Sequence, residues 1–155
     1  MALRTIIKEG NETLRKHSRP VTSFDKKLAI LLDDMKETLI KADGVGLAAP
    51  QVGILRRIFI VDTGDKIIEF VNPEILETSG EQDGTEGCLS VPGVRGMVKR
   101  PMNVKVRAQD RNGKTFTVEL SELSARCVCH ENDHLDGILF IDKAHDKEEY
   151  DEEEE

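Results

Sequence analysis

Between residues 24 and 42 the apolar positions keep returning to one face of a helix. Phe24, Leu28, Leu31, Leu32, Met35 and Leu39 form a single stripe when the chain turns about 100° per residue. The pattern predicts a long N-terminal amphipathic helix with Ser23 as its N-cap and its stripe packed on a sheet. Beyond it the period shortens. Segments 57–62, 67–72, 103–109 and 114–120 have the length and composition of strands, and the last two alternate on either side of Asp110-Arg111-Asn112-Gly113, a hairpin signal. Ser121 then opens a second helix that runs to about Asp136 and is stopped by Gly137. Two helices at opposite ends of a mixed run of strands predict an α+β fold, with antiparallel or mixed strands packed around the C-terminal helix.

Two segments fit neither period. Residues 44–53, Gly44-Val45-Gly46-Leu47-Ala48-Ala49-Pro50-Gln51-Val52-Gly53, are rich in glycine and small side chains. They suggest a loop or short strand where something approaches the backbone closely, or a loop that simply packs tightly. Residues 86–93, Glu86-Gly87-Cys88-Leu89-Ser90-Val91-Pro92-Gly93, lie between Gly84 and Gly96, in a stretch free to bend around a site.

At 155 residues the chain can bury a core as one domain, 1–145. The net charge is −8, but the last ten residues hold eight acids and one lysine, net −7, which leaves −1 for the rest. That tail, 146–155, repels itself and has little apolar surface, so disorder is expected there. A near-neutral body has no electrostatic footprint for nucleic acid, and direct DNA binding is not expected. Neither a signal peptide nor a membrane-spanning run is visible, which points to the cytoplasm. Three cysteines, at 88, 127 and 129, are an odd number and form no disulfide framework.

The chemistry concentrates in His130-Glu131-Asn132-Asp133-His134. On a helix the two histidines are about 40° apart in azimuth and about 6 Å apart along the axis, so both can reach one metal ion. Glu131 is offset from that line and placed to touch a water beside the ion, as a general base. Asp133 is positioned to orient an imidazole from behind. The competing reading is a pair of surface histidines on a solvated helix. A catalytic metal site needs three protein ligands and an open position, and Cys88 is the natural third. Cys129 faces away from the pair and reads as core. Cys127, one turn before His130, reads as pocket wall or core.

Three motifs, in order, resemble the peptide deformylase family, which removes the formyl group from the N-terminal methionine of new bacterial proteins. Gly44-Val45-Gly46-Leu47-Ala48-Ala49-Pro50-Gln51 is similar to its Gly-x-Gly-x-Ala-Ala-x-Gln, Glu86-Gly87-Cys88-Leu89-Ser90 to its second motif, and His130-Glu131-x-x-His134 to its third. The resemblance covers residues 3 to 142. It departs from the family at Cys129, where glutamine is usual, and in carrying an acidic tail where many members have a C-terminal helix.

What the resemblance implies is a metal-dependent hydrolase. Cys88, His130 and His134 would hold one divalent metal, ferrous iron in the cell, with zinc, nickel or cobalt able to substitute. Glu131 would move the proton, and the Gln51 amide and Leu89 backbone N–H would stabilise the oxyanion. The substrate, an N-terminal formyl-methionine of a nascent polypeptide, would lie extended along Gly46 and Gly87, its side chain in a slot lined by Val45, Leu89 and Cys127. Transient ribosome association is also implied, although eight carboxylates would be repelled by RNA phosphates. Glu86 and Arg100 are candidates to brace the cysteine loop, and Arg95 to meet a peptide carboxylate.

Two other readings compete. A zinc peptidase of the His-Glu-x-x-His type would take His145 or Glu148 as third ligand. A structural metal module would close its site with Cys127 or Cys129 as fourth.

Overall fold

The structure is a computed structural model that describes residues 2–151. Its first helix, α1 (Lys26–Ala42), is capped by Asp25, whose carboxylate accepts from the Leu28 N–H at 3.1 Å. The cap thus falls two residues later than Ser23, because the longer acidic side chain reaches the free N–H groups of the first turn and meets their partial positive charge. Phe24 consequently lies outside the helix, although it still packs with the stripe residues Leu28, Leu31, Leu32, Met35 and Leu39.

Five strands form one antiparallel sheet: β1 (Gly46–Ala48), β2 (Ile58–Asp62), β3 (Ile67–Ser79), β6 (Asn103–Gln109) and β7 (Thr115–Ser121), in the order β1-β2-β3-β6-β7. The hairpin expected at 110–113 joins β6 to β7. Strand β3 runs seven residues past its expected end at 72, since Asn72, in the left-handed region at φ 51°, and Pro73 break the local pattern without ending the pairing. The register shifts between Val71 and Glu74 record that break as a bulge.

The remaining strands, β4 (Gln82–Cys88), β5 (Val91–Arg100) and β8 (His145–Glu149), make a second, three-stranded antiparallel sheet in the order β4-β5-β8. Here the structure corrects two expectations. The glycine-rich cysteine stretch is a hairpin whose glycines replace side chains that would collide: a Cβ on Gly84 would sit 2.9 Å from Arg126 Nη2, and one on Gly96 2.8 Å from Ala144 Cβ. Residues 146–149, assigned to a disordered tail, pair with β5 instead. Backbone hydrogen bonding to an open sheet edge needs no apolar side chains, so a charged segment can take it. Residues 152–155 of the expected tail lie outside the described residues.

The second helix, α2 (Glu122–Leu135), follows Ser121 directly and ends before Gly137, at φ 76°. Strand β2 is buried on both sides: Phe59 and Val61 pack with Ala125, Cys127 and Val128 of α2, while Ile58 and Ile60 pack with α1. The five-stranded sheet therefore lies between the two helices, and α2 is driven into the middle of the molecule. Leu32 and Met35 are fully buried. Truncating either to alanine removes the seal on that layer, at about 2–5 kcal/mol. Among the described residues, no helix is long and apolar enough to cross a membrane.

Candidate active site

Four pieces of chain converge on a cavity of about 670 Å³: β1, the segment around Gln51, the β4–β5 hairpin and α2. Its walls include Val45, Gly46, Gln51, Gly87, Cys88, Leu89, Cys127, His130 and Glu131. His134 lies fully buried beneath it. The donor atoms of Cys88, His130 and His134 lie within 4.8 Å of one another, with Cys88 Sγ 3.4 Å from His134 Nε2. The cysteine comes from the end of β4 and the histidines from consecutive turns of α2. Neither Cys127 nor Cys129 joins this group, so among the described residues no fourth ligand closes it. His145 is engaged elsewhere, bonded to Asp83 and Asp146. Glu148 pairs with Arg95.

Behind the group stands a buried charge cluster centred on Glu86. Its carboxylate accepts from His130 Nδ1 at 2.8 Å, from Arg100 Nε and Nη2 at 2.9 and 3.0 Å, and from Arg126 Nη1 at 2.7 Å. Burial alone would raise the Glu86 carboxyl, but the hydrogen bonds from His130 and Arg100 bring it down to about 2. Asp133 was expected to orient an imidazole; it accepts from Arg100 Nη1 at 2.7 Å instead. Glu86 does the orienting, from strand β4 rather than from the helix itself, and Asp133 holds the arginine that holds Glu86. The suggested Glu86–Arg100 pair is present, while Arg126 and Ser90 carry no sequence signal for their parts.

Gln51 is fixed at both ends of its amide. Its Oε1 accepts from the Ala48 N–H at 2.9 Å, which turns Nε2 towards Cys88 Sγ at 3.6 Å and Ser90 Oγ at 3.1 Å. The N-terminal segment straps this arrangement together, through Ile7 N–H to Gln51 O at 2.8 Å, Glu9 N–H to Ser90 O at 2.7 Å and Lys8 Nζ to Leu89 O at 3.1 Å.

Glu131 is pressed against β1. A Cβ on Gly46 would lie 2.7 Å from Glu131 Oε2 and 2.6 Å from Cys127 Sγ, so only glycine admits this approach. Burial, opposed by the nearby His130, raises the Glu131 carboxyl to about 7. Its Oε1 is buried with no hydrogen-bond partner among the described residues. Burial and the neighbouring His130 drive His134 well below its ordinary range, which favours the neutral imidazole that a metal requires. Burial pushes the Cys127 and Cys129 thiols up, so both behave as apolar packing groups.

One cysteine sulfur and two imidazoles at a cavity, with a buried carboxylate nearby, are a donor set that can hold a metal ion and leave a position open. Residues 3–150 match the family model described as "Polypeptide deformylase", a match that takes in β8. The chain is 57% identical over 143 residues to a peptide deformylase of Acetivibrio thermocellus, covering 92% of this chain and 84% of that one. It is 53% identical over 148 residues to peptide deformylase 1 of Clostridium acetobutylicum, covering 96% and 99% respectively. The crystal structure of the Thermotoga maritima peptide deformylase superposes with a TM-score of 0.90 at 42% identity, over 92% of this chain and 98% of that one. A match along nearly the full length, in sequence and in backbone, places the chain in the polypeptide deformylase family.

Proposed function

We propose that residues 1–150, rather than 1–145, form one catalytic domain in which Cys88, His130 and His134 hold a single divalent metal and Glu131 is the general base. The family removes the formyl group from the N-terminus of newly made polypeptides, and this chain is such a hydrolase. Water adds across the formyl amide, the C–N bond breaks, and formate and a free amine leave. When bound, the metal supplies a Lewis acid that acidifies water towards neutral pH.

The chain's own residues do the rest. Glu131 takes the proton from the attacking water and returns it to the departing amine. The Gln51 Nε2–H and the Leu89 backbone N–H donate to the oxygen that becomes negative; the Ala48 N–H holds the Gln51 Oε1 and so fixes the plane of the amide, and Nε2 exchanges its contact with Cys88 Sγ for the oxyanion. The peptide lies extended against the backbone of Gly46 and Gly87, and at Gly87, where a Cβ would meet only Val94 O at 3.8 Å, the missing side chain leaves room for a second backbone. Val45, Leu89 and Cys127, all on the cavity wall, form the apolar slot for methionine.

The family is metal-dependent, and a thiolate with two imidazoles accepts iron, zinc, nickel or cobalt. We assign ferrous iron in the cell, with the other three as substitutes, and expect oxygen sensitivity because oxidation of Cys88 removes a ligand. A nascent-chain substrate puts the enzyme in the cytoplasm, with at most transient ribosome association.

The observation that carries this reading is the three-donor group beside the buried, unpartnered Glu131 oxygen. Anaerobically purified protein should release formate from formyl-Met-Ala-Ser, with about one metal per chain, and lose activity on chelation. Glu131→Gln should lower turnover by at least about 10²-fold while the metal count holds. A metal-loaded wild type that releases no formate with any of the four ions would sink the proposal.

A further inference from the structure

The segment that follows β8 reaches the cavity. Tyr150 lines the same cavity as Cys88, Leu89 and Glu131, and its N–H donates to Gly93 O at 2.9 Å, extending the β5–β8 ladder by one residue. Gly87 pairs with Arg95 between β4 and β5, and Arg95 with Glu148 between β5 and β8. Cross-strand partners share a face, as do residues two apart in a strand. Gly87, Arg95, Glu148 and Tyr150 therefore stand on one face of the three-stranded sheet, beginning at a bare glycine and ending at an aromatic ring.

The Arg95 guanidinium is already engaged. It bonds Glu148 Oε1 at 3.2 Å and lies 4.8 Å from the centroid of the Tyr150 ring, a cation–π distance. It is thus not held out towards a peptide carboxylate, the role its sequence position suggested, and a growing polypeptide carries no backbone carboxylate near its N-terminus. What this end of the cavity offers is apolar surface: Tyr150, Leu89 and Pro92.

We propose that β8 supplies a wall of the peptide groove and that Tyr150 is a specificity-determining residue, selecting apolar or aromatic side chains among the residues that follow methionine. This rests on the reading that the peptide runs extended along Gly87. Because side chains alternate in an extended peptide, only one of the two positions after methionine faces the ring.

The test is steady-state kinetics on metal-loaded enzyme with formyl-Met-Phe-Gly, formyl-Met-Gly-Phe and formyl-Met-Gly-Gly. In one of the two series phenylalanine should lower KM about 3- to 10-fold against the glycine peptide, a size typical of one aromatic contact. Tyr150→Ala should abolish that ratio through KM while kcat for each peptide stays together, and Tyr150→Phe should keep it. An unchanged ratio in Tyr150→Ala, or no phenylalanine preference in the wild type, would overturn the wall. Failure of the wild type to hydrolyse formyl-Met-Gly-Gly would instead overturn the underlying assignment of activity. Should Tyr150→Ala not fold, Tyr150→Ser and Tyr150→Phe supply the same comparison.

Discussion

Single atoms decide the chemistry at this site. Gly46 has no side chain because Glu131 Oε2 and Cys127 Sγ occupy the space a Cβ would need. Gly46→Ala forces β1 away from α2, so we expect a loss of about 1–3 kcal/mol, as for overpacked cores, and a fall in kcat larger than any change in metal content. Denaturant unfolding and metal analysis on one preparation would check it; an active variant of wild-type stability would contradict the contact. Glu86 offers a second test. It is the common acceptor for two arginines and His130, and Glu86→Gln leaves buried guanidinium groups short of charge. Breaking a buried pair on one side typically costs about 3–5 kcal/mol. Replacing the charged acceptor behind His130 Nδ1, a proposed ligand, by a neutral amide should also weaken metal binding by about 10- to 100-fold, read by competition with a chelator.

Among the elements, α1 and the β4–β5 hairpin show what local pattern can and cannot convey. The apolar stripe of α1 was legible because a 3.6-residue period survives wherever one face is buried, but its cap was misplaced. Asp25→Ala should lower stability by about 1 kcal/mol, whereas Ser23→Ala should change it by no more than a few tenths; equal effects would restore Ser23 as the cap. The hairpin was illegible for the opposite reason. Gly84, Gly87 and Gly96 interrupt the alternation that marks strands, and the structure shows Arg126 and Ala144 filling the space beside two of them. Those neighbours are 42 and 48 residues away in the chain, far outside any window of local pattern.

At the scale of the whole molecule, a charge network ties the layers together. Arg111, in the β6–β7 turn, reaches Glu69 of β3 and Asp33 of α1, and Lys36 of α1 also bonds Glu69. Burial pushes the Glu69 carboxyl up, but the hydrogen bonds from Arg111 and Lys36 outweigh it and leave the group below its ordinary value of 4.5. A carboxylate depressed in the folded state contributes stability that is fully present above the unfolded value and is lost as pH falls through the folded one. The urea midpoint should therefore hold from neutral pH down to about 4.5 and decline below it, other acids adding to the slope. Arg111→Met should flatten the part that belongs to Glu69; an identical pH profile in that variant would show that the network does not couple the layers.

The amino-acid sequence by itself determined the elements with a clean period, the α+β class, and the residue types of the site, because the His-Glu-x-x-His spacing needs only the helix repeat to bring two imidazoles together. It also carried the family, through three short motifs. It could not show that Glu86 rather than Asp133 orients His130, nor that a strap at residues 7–9 ties Gln51 to Ser90. Nor could it show that the charged segment 145–149 closes a sheet and delivers Tyr150 to the groove. Each of these depends on a contact between residues far apart in the chain, and only the packed tertiary structure, with its open edge on β5 and its buried charges needing partners, selects among the partners that composition allows.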